Sequence, residues 1–172
     1  MEIFCAKDSS GCIQEDIRLT VLRMDEIGLQ MEFPEGFYQM EEEKRRRFYP
    51  GKERPRIILE NPDGVQVTGQ TAGLKMKREE LVSAVEAARE MAADTFPQYR
   101  FSPVYLQERG ELSAGWFRMR MPDRKTDHIK AFGVVRDKLV MVTFTYPEAE
   151  EIKWKSLILY SLGTWREMHG ES

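Results

Sequence analysis

Alternation of apolar and polar side chains runs through most of the chain. Residues 17–23 put Ile17, Leu19 and Val21 on one side, a period of two that predicts a strand. Residues 27–33 repeat the pattern with Ile27, Leu29, Met31 and Phe33 in phase. Met24-Asp25-Glu26 between the two runs suits a hairpin, and Pro34-Glu35-Gly36 ends the second strand. Residues 56–60 and 64–70 predict another hairpin around Asn61-Pro62-Asp63-Gly64, where proline presets φ and Asp-Gly accepts turn conformations. Beyond residue 99 the alternation returns in four runs, 99–109, 114–121, 127–136 and 138–146. Their connections are short, which allows only antiparallel neighbours.

Three stretches carry the helical period instead. Over 77–96, Leu81, Val85, Ala88 and Ala92 form a stripe that Met91 widens, and Pro97 stops it. From Pro147 to about Met168, Trp154, Ile158, Ser161, Leu162 and Trp165 make a second stripe, with acids at the positive end of the helix. Residues 40–48 are mostly charged. There Glu41–Arg45, Glu42–Arg46 and Glu43–Arg47 are i,i+4 pairs with the acid first, which predicts a short solvated helix. The order β-β-α-β-β-α-β-β-β-β-α is that of an α+β protein, an antiparallel sheet covered by helices.

Composition adds bounds. A chain of 172 residues, 41% hydrophobic and 32% charged, suits one globular domain and excludes collagen-like, disordered and membrane-spanning classes. A net charge of −3 gives no reason to expect nucleic acid as partner. The basic residues from Lys44 to Arg56 could form an anion patch, but three local acids offset them and no aromatic series is interleaved. Cys5 and Cys12 fit neither a disulfide framework nor a CxxC metal site, and are expected to be reduced. The first residues carry no signal-like apolar stretch, so a cytoplasmic location without membrane insertion is expected.

The search for chemistry is mostly negative. There is no phosphate-binding glycine loop, no HExxH and no GxSxG elbow. His128 reads as a satisfied strand histidine and His169 as a solvent residue. The acids at 41–43 and 148–151 are explained by helix starts. No catalytic, cofactor-binding or metal-ligating residue is therefore expected. Two binding candidates remain. Met31, Met119, Met121 and Met141 sit on predicted strands, either as core or as the lining of an adaptable groove. In residues 116–121, alternation puts Phe117, Met119 and Met121 on a buried face. It puts Trp116, Arg118 and Arg120 on the other, an aromatic-plus-arginine strip of the kind found at protein interfaces. The plain alternative is a solvated face with a cross-strand acid such as Glu108 or Asp127.

Several segments add a resemblance: residues 33–37 (Phe-Pro-Glu-Gly-Phe), 40–44, Tyr49-Pro50, Arg54-Pro55, Asn61-Pro62-Asp63-Gly64, Tyr146-Pro147-Glu148 and Trp154 leading to Ser161-Leu162. Together they resemble uncharacterised bacterial proteins of the Mog/PsbP-like fold, which also takes in the DcrB-type proteins. The resemblance implies an α/β/α sandwich, usually non-enzymatic, whose better-known members bind a small GTPase, photosystem subunits or hydrophobic effector segments. The resemblance covers roughly residues 27–166; with the helical pattern running to about Met168, a single domain is expected at 27–168, an N-terminal strand or arm at 1–26 and a frayed tail at 169–172. The function expected is protein binding or a chaperone-like role, with Trp116, Arg118 and Arg120 as partner contacts. A carrier with an apolar cavity between sheet and helices is the alternative, and a homodimer through an exposed edge is allowed.

Overall fold

The computed structural model describes residues 2–8, 11–51 and 54–169, with the backbone alone for 2–8, 11–16 and Leu74. A hairpin of β1 (Glu2–Asp8) and β2 (Gly11–Ile17) leads into β3 (Leu19–Met24), β4 (Leu29–Pro34) and β5 (Tyr38–Gln39). Helix α1 (Glu42–Phe48) is followed by β6 (Ile57–Glu60), β7 (Gln66–Lys75) and helix α2 (Leu81–Thr95). Then come β8 (Arg100–Phe101), β9 (Tyr105–Gln107), β10 (Ala114–Met121), β11 (Thr126–Val135) and β12 (Lys138–Pro147). Helix α3 (Glu151–Leu162) and β13 (Arg166–Glu167) close the chain. The main sheet runs β5-β6-β7-β12-β11-β10-β8, with β9 also on β10, and every pairing is antiparallel. A second sheet, hydrogen-bonded apart from the first, has the order β13-β4-β3.

Alternation decides what each face meets. On one face Val67, Ala114, Ile129, Ala131, Val142 and Phe144 pack with Trp154, Ile158, Leu162 and the β3–β4 hairpin. Phe33 centres this layer, 5.6 Å from Phe144 and 6.2 Å from Trp154 between ring centroids. On the other face Phe117, Phe132, Val134 and Leu139 meet Leu81 and Val85 of α2. The sheet is thus covered on both sides, the expected α/β/α arrangement. Two sheet glycines permit the close approach. A Cβ on Gly115 would lie 2.8 Å from Val85 Cγ2, and one on Gly133 would lie 3.1 Å from Trp165 Cζ3. Backbone passes under each side chain where any larger residue would push it away.

Both expected hairpins form. In the second, Val65 N–H donates to Asn61 Oδ1 at 2.9 Å and Gly64 takes φ +83°. The tight β11–β12 turn has Arg136 and Asp137 at φ 52° and 60°, the left-handed pair whose twist matches that of antiparallel strands. Several expectations need correction. On β3 it is Met24 and Leu22 that face the core, while Val21 is exposed; Met24 belongs to the strand, and the connection is a 3-10 turn at Asp25–Ile27 instead of Met24-Asp25-Glu26. Residues 99–109 are two short strands instead of one, since Pro103 lacks the N–H a continuous ladder needs. Met91 is 71% exposed and does not widen the α2 stripe. α3 ends at Leu162, and Trp165 is buried from a turn beyond it, followed by β13.

The expected division at 26/27 falls inside the β3–β4 hairpin, whose strands pair from Leu19 with Pro34 to Met24 with Leu29. The expected frayed tail lies outside the described residues except for exposed His169, as do the side chains of Cys5 and Cys12. Among the described residues, no helix is long and apolar enough to cross a membrane. No group of three or more His, Cys, Asp or Glu side chains converges there as a metal site.

Candidate functional site

β10 is where the sheet leaves its regular pairing. Past Trp116 the outer neighbour changes from β9 to β8, and Pro103-Val104 bulges between them. Ser102 spans the gap, donating its N–H to Arg118 O at 2.9 Å and accepting the Arg118 N–H on Oγ at 2.8 Å. From α2, Arg89 fixes the same link by donating Nε–H to Ser102 O at 2.6 Å. With this edge satisfied, a groove of about 230 Å³ opens between the link, β10 and the start of α3. Tyr105 and Trp116 form its aromatic wall, their rings 4.8 Å apart. Arg100, Arg118, Arg120 and Lys155 supply four cations.

Trp116, Arg118 and Arg120 do share one face, the face that α3 partly covers. Trp116 is only 8% exposed, packed under Tyr105 and continuous with the core. The arginine side chains are 17% and 29% exposed, held by two acids. Glu151 forks between them, with Oε1 2.6 Å from Arg118 Nη1 and Oε2 2.7 Å from Arg120 Nη2. Beneath, Asp127 lies at ion-pair distance from both, 3.5 Å from each Nε, and makes no hydrogen bond to either. Asp127 is the cross-strand acid anticipated for a solvated face, standing opposite Arg120 in the β10–β11 register. Glu108 makes no such contact among the described residues.

Asp127 has no exposed surface. Burial raises its pKa, the charge of Arg120 opposes the rise, and Glu151 and Glu148 add to it, leaving it at about 6. Tyr146, opposite Asp127 on β12, is also fully buried with its hydroxyl unpartnered. Burial first, then Asp127 and Glu151, hold that phenol protonated. The pKa of Arg120 is raised as well, which here favours the charged form, first through the hydrogen bond to Glu151.

Two cations of the groove are not spoken for. Arg100 stands directly opposite Arg120 in the β8–β10 register, a like-charge pair that costs stability. Neither Arg100 nor Lys155 has an acid within ion-pair distance among the described residues. Sequence reasoning missed both, and missed Ser102 and Tyr105. Lys155 follows Glu151 by four residues beside the Trp154 stripe, so a shared helix face was readable. The register of Arg100 was not, because it depends on where Pro103 breaks the strand.

The other candidates resolve as structure. His128 lies on the opposite face, Nδ1 3.1 Å from Thr145 Oγ1, and burial with Lys130 and Arg124 pushes its pKa down to about 3. It stays neutral and hydrogen-bonded at any physiological pH. Met31, Met119 and Met121 are buried, and Met141 packs beside α2, so none lines an open groove. In α1 only Glu42–Arg46 forms among the three anticipated pairs, at 3.4 Å. Arg54 also reaches Glu42, Lys44 turns to buried Glu60 at 2.8 Å, and Arg45 caps Arg56 O. These contacts with β6 and the chain leading into it draw the basic side chains away from the helix's own acids.

No protein-family model matches the sequence. Nor does any curated protein. Among solved structures, the chain is similar to cyanobacterial PsbP (CyanoP) from Synechocystis sp. PCC 6803. That match has a TM-score of 0.60 and 11% identity, and covers 89% of this chain and 94% of that one. A structure from Bacteroides thetaiotaomicron VPI-5482 matches at 11% identity and TM-score 0.47, over 83% of this chain and 46% of that one. The CyanoP match shows a PsbP-like fold.

Proposed function

We propose that the protein is a non-catalytic binding module that grips an acidic segment of another protein in the groove between β8–β10 and α3. The observation that carries this reading is the placing of Arg100 opposite Arg120, with Lys155 across the groove and no acid on either Arg100 or Lys155 among the described residues. Like charges opposite each other on paired strands add nothing to the fold, whereas a ligand carboxylate beside them turns repulsion into charge-assisted hydrogen bonds. Arg118 and Arg120 are already oriented by Glu151, so a ligand meets a preset fork. Exposed Tyr105 at the rim offers apolar contact beside the charge. The reading is also compatible with a PsbP-like fold.

The carrier alternative has less support, because the space between sheet and α3 is occupied by Phe33, Phe144, Tyr146, Trp154 and Trp165. The test is capture from a lysate of the native host by wild type and by Arg100→Glu/Lys155→Glu. The expected result is a stoichiometric acidic protein held by wild type, released at high salt and absent from the double variant. Equal capture by both proteins would overturn the reading.

A further inference from the structure

The groove contains its own competitor. Asp127 sits beneath the two arginines that form the groove floor, sealed from solvent, with both carboxylate oxygens lacking a hydrogen bond. Each oxygen faces one guanidinium at 3.5 Å. The groups that face it are Arg118 and Arg120 from β10, Tyr146 from β12, Glu148 from the turn before α3 and Glu151 from α3. Three acids and two arginines therefore share a small volume, and Lys155 and Arg100 stand at its mouth.

From this geometry we infer that Asp127 is a proton-operated regulator of the groove, weakening its hold on carboxylates when ionised and strengthening it when protonated. The inference rests on the binding reading given above. Its physical basis is Coulombic. A carboxylate ligand on the arginines brings a further negative charge toward Glu148, Glu151 and above all Asp127, whose burial keeps water from screening the repulsion. A proton on Asp127 removes the deepest of these charges. The titration near pH 6 puts the change within a range that cells reach. Linkage makes the effect reciprocal: an anion in the groove raises the affinity of Asp127 for its proton. Buried His128 lies on the other face and remains neutral throughout, so it does not add to the effect.

The probe is a capped hexa-aspartate peptide, whose side chains stay ionised at pH 5.5. Its affinity is measured at pH 7.5 and pH 5.5 in a His169→Ala background, which removes the exposed imidazole. Wild type is expected to bind at least about fivefold tighter at pH 5.5, the lower end of usual coupling between sites. Asp127→Asn is expected to bind tightly at both values, and Arg100→Glu/Lys155→Glu at neither. Calorimetry on the parent protein at pH 6, in two buffers of different ionisation enthalpy, covers the case of an unfolded Asn variant: it should show proton uptake on binding. Equal affinity of the parent at both pH values, or no proton uptake, would overturn the regulator while leaving the groove reading intact. A pH dependence that survives Asp127→Asn would do the same. Binding unaffected by the double charge reversal, or absent altogether, would overturn both.

Discussion

At Asp127 a carboxylate without exposed surface is held between two arginines and beside two more acids, and its titration becomes a statement about stability. The folded-state pKa of about 6 lies above the ordinary 3.8, so the folded protein takes up this proton first. The contribution is present in full below about pH 4 and is lost as pH rises through about 6. The whole difference is worth about 3 kcal/mol at 1.36 kcal/mol per tenfold change. Urea unfolding of wild type and Asp127→Asn should therefore show wild type losing about that much, relative to the variant, between pH 4 and pH 7. A constant difference between them would contradict the assignment. Arg100 gives a second expectation at this scale. Because it opposes Arg120, Arg100→Ala should leave the protein equally stable or about 0.2–1 kcal/mol more stable at low salt, while hexa-aspartate binding falls. Thermal melts and binding on one sample check both halves. A marked loss of stability would mean that Arg100 serves the fold.

Among the elements, α2 depends on one missing side chain. Gly115→Ala would drive a methyl into Val85, which is fully buried, and should cost about 1–3 kcal/mol. Adding Val85→Ala removes the clash, so the two substitutions together should cost less than their sum. Strict additivity in denaturant unfolding would place the strain elsewhere. The link between β8 and β9 hangs on Arg89, whose loss as Arg89→Ala should raise hydrogen exchange in residues 100–107 and weaken the groove without unfolding the sheet. How much could be read beforehand follows from the same physics. The strands β10 to β12 were legible because one face is apolar and the turns are short, so a one-residue slip would expose the core. The helix stripes at Leu81 and Val85 and at Trp154 to Leu162 were legible for the same reason. The segment around Pro103 was not, since its pairing is set by Ser102 and Arg89 across the structure rather than by local pattern. That is also why Arg118 and Arg120 were visible as a strip while their partner Arg100 was hidden.

For the whole molecule, the fold is a sheet covered on both faces and closed at both edges by strands of two or three residues, which limits edge-to-edge pairing with other chains. What remains exposed and chemically uncommon is the cationic groove beside α3. Its charges are divided between a fixed part, Arg118 and Arg120 on Glu151, and the two cations at its mouth, Arg100 and Lys155. The rival surface is the basic run of α1, where Glu42 and Glu60 already take up Arg46, Arg54 and Lys44. The most direct measurement is a two-dimensional NMR titration of backbone amides with capped hexa-aspartate at pH 5.5. The expected result is saturable shifts confined to residues 100–106 and 116–120 and to the turn around Lys155. Shifts centred on α1, or none at millimolar peptide, would contradict the groove as the binding site.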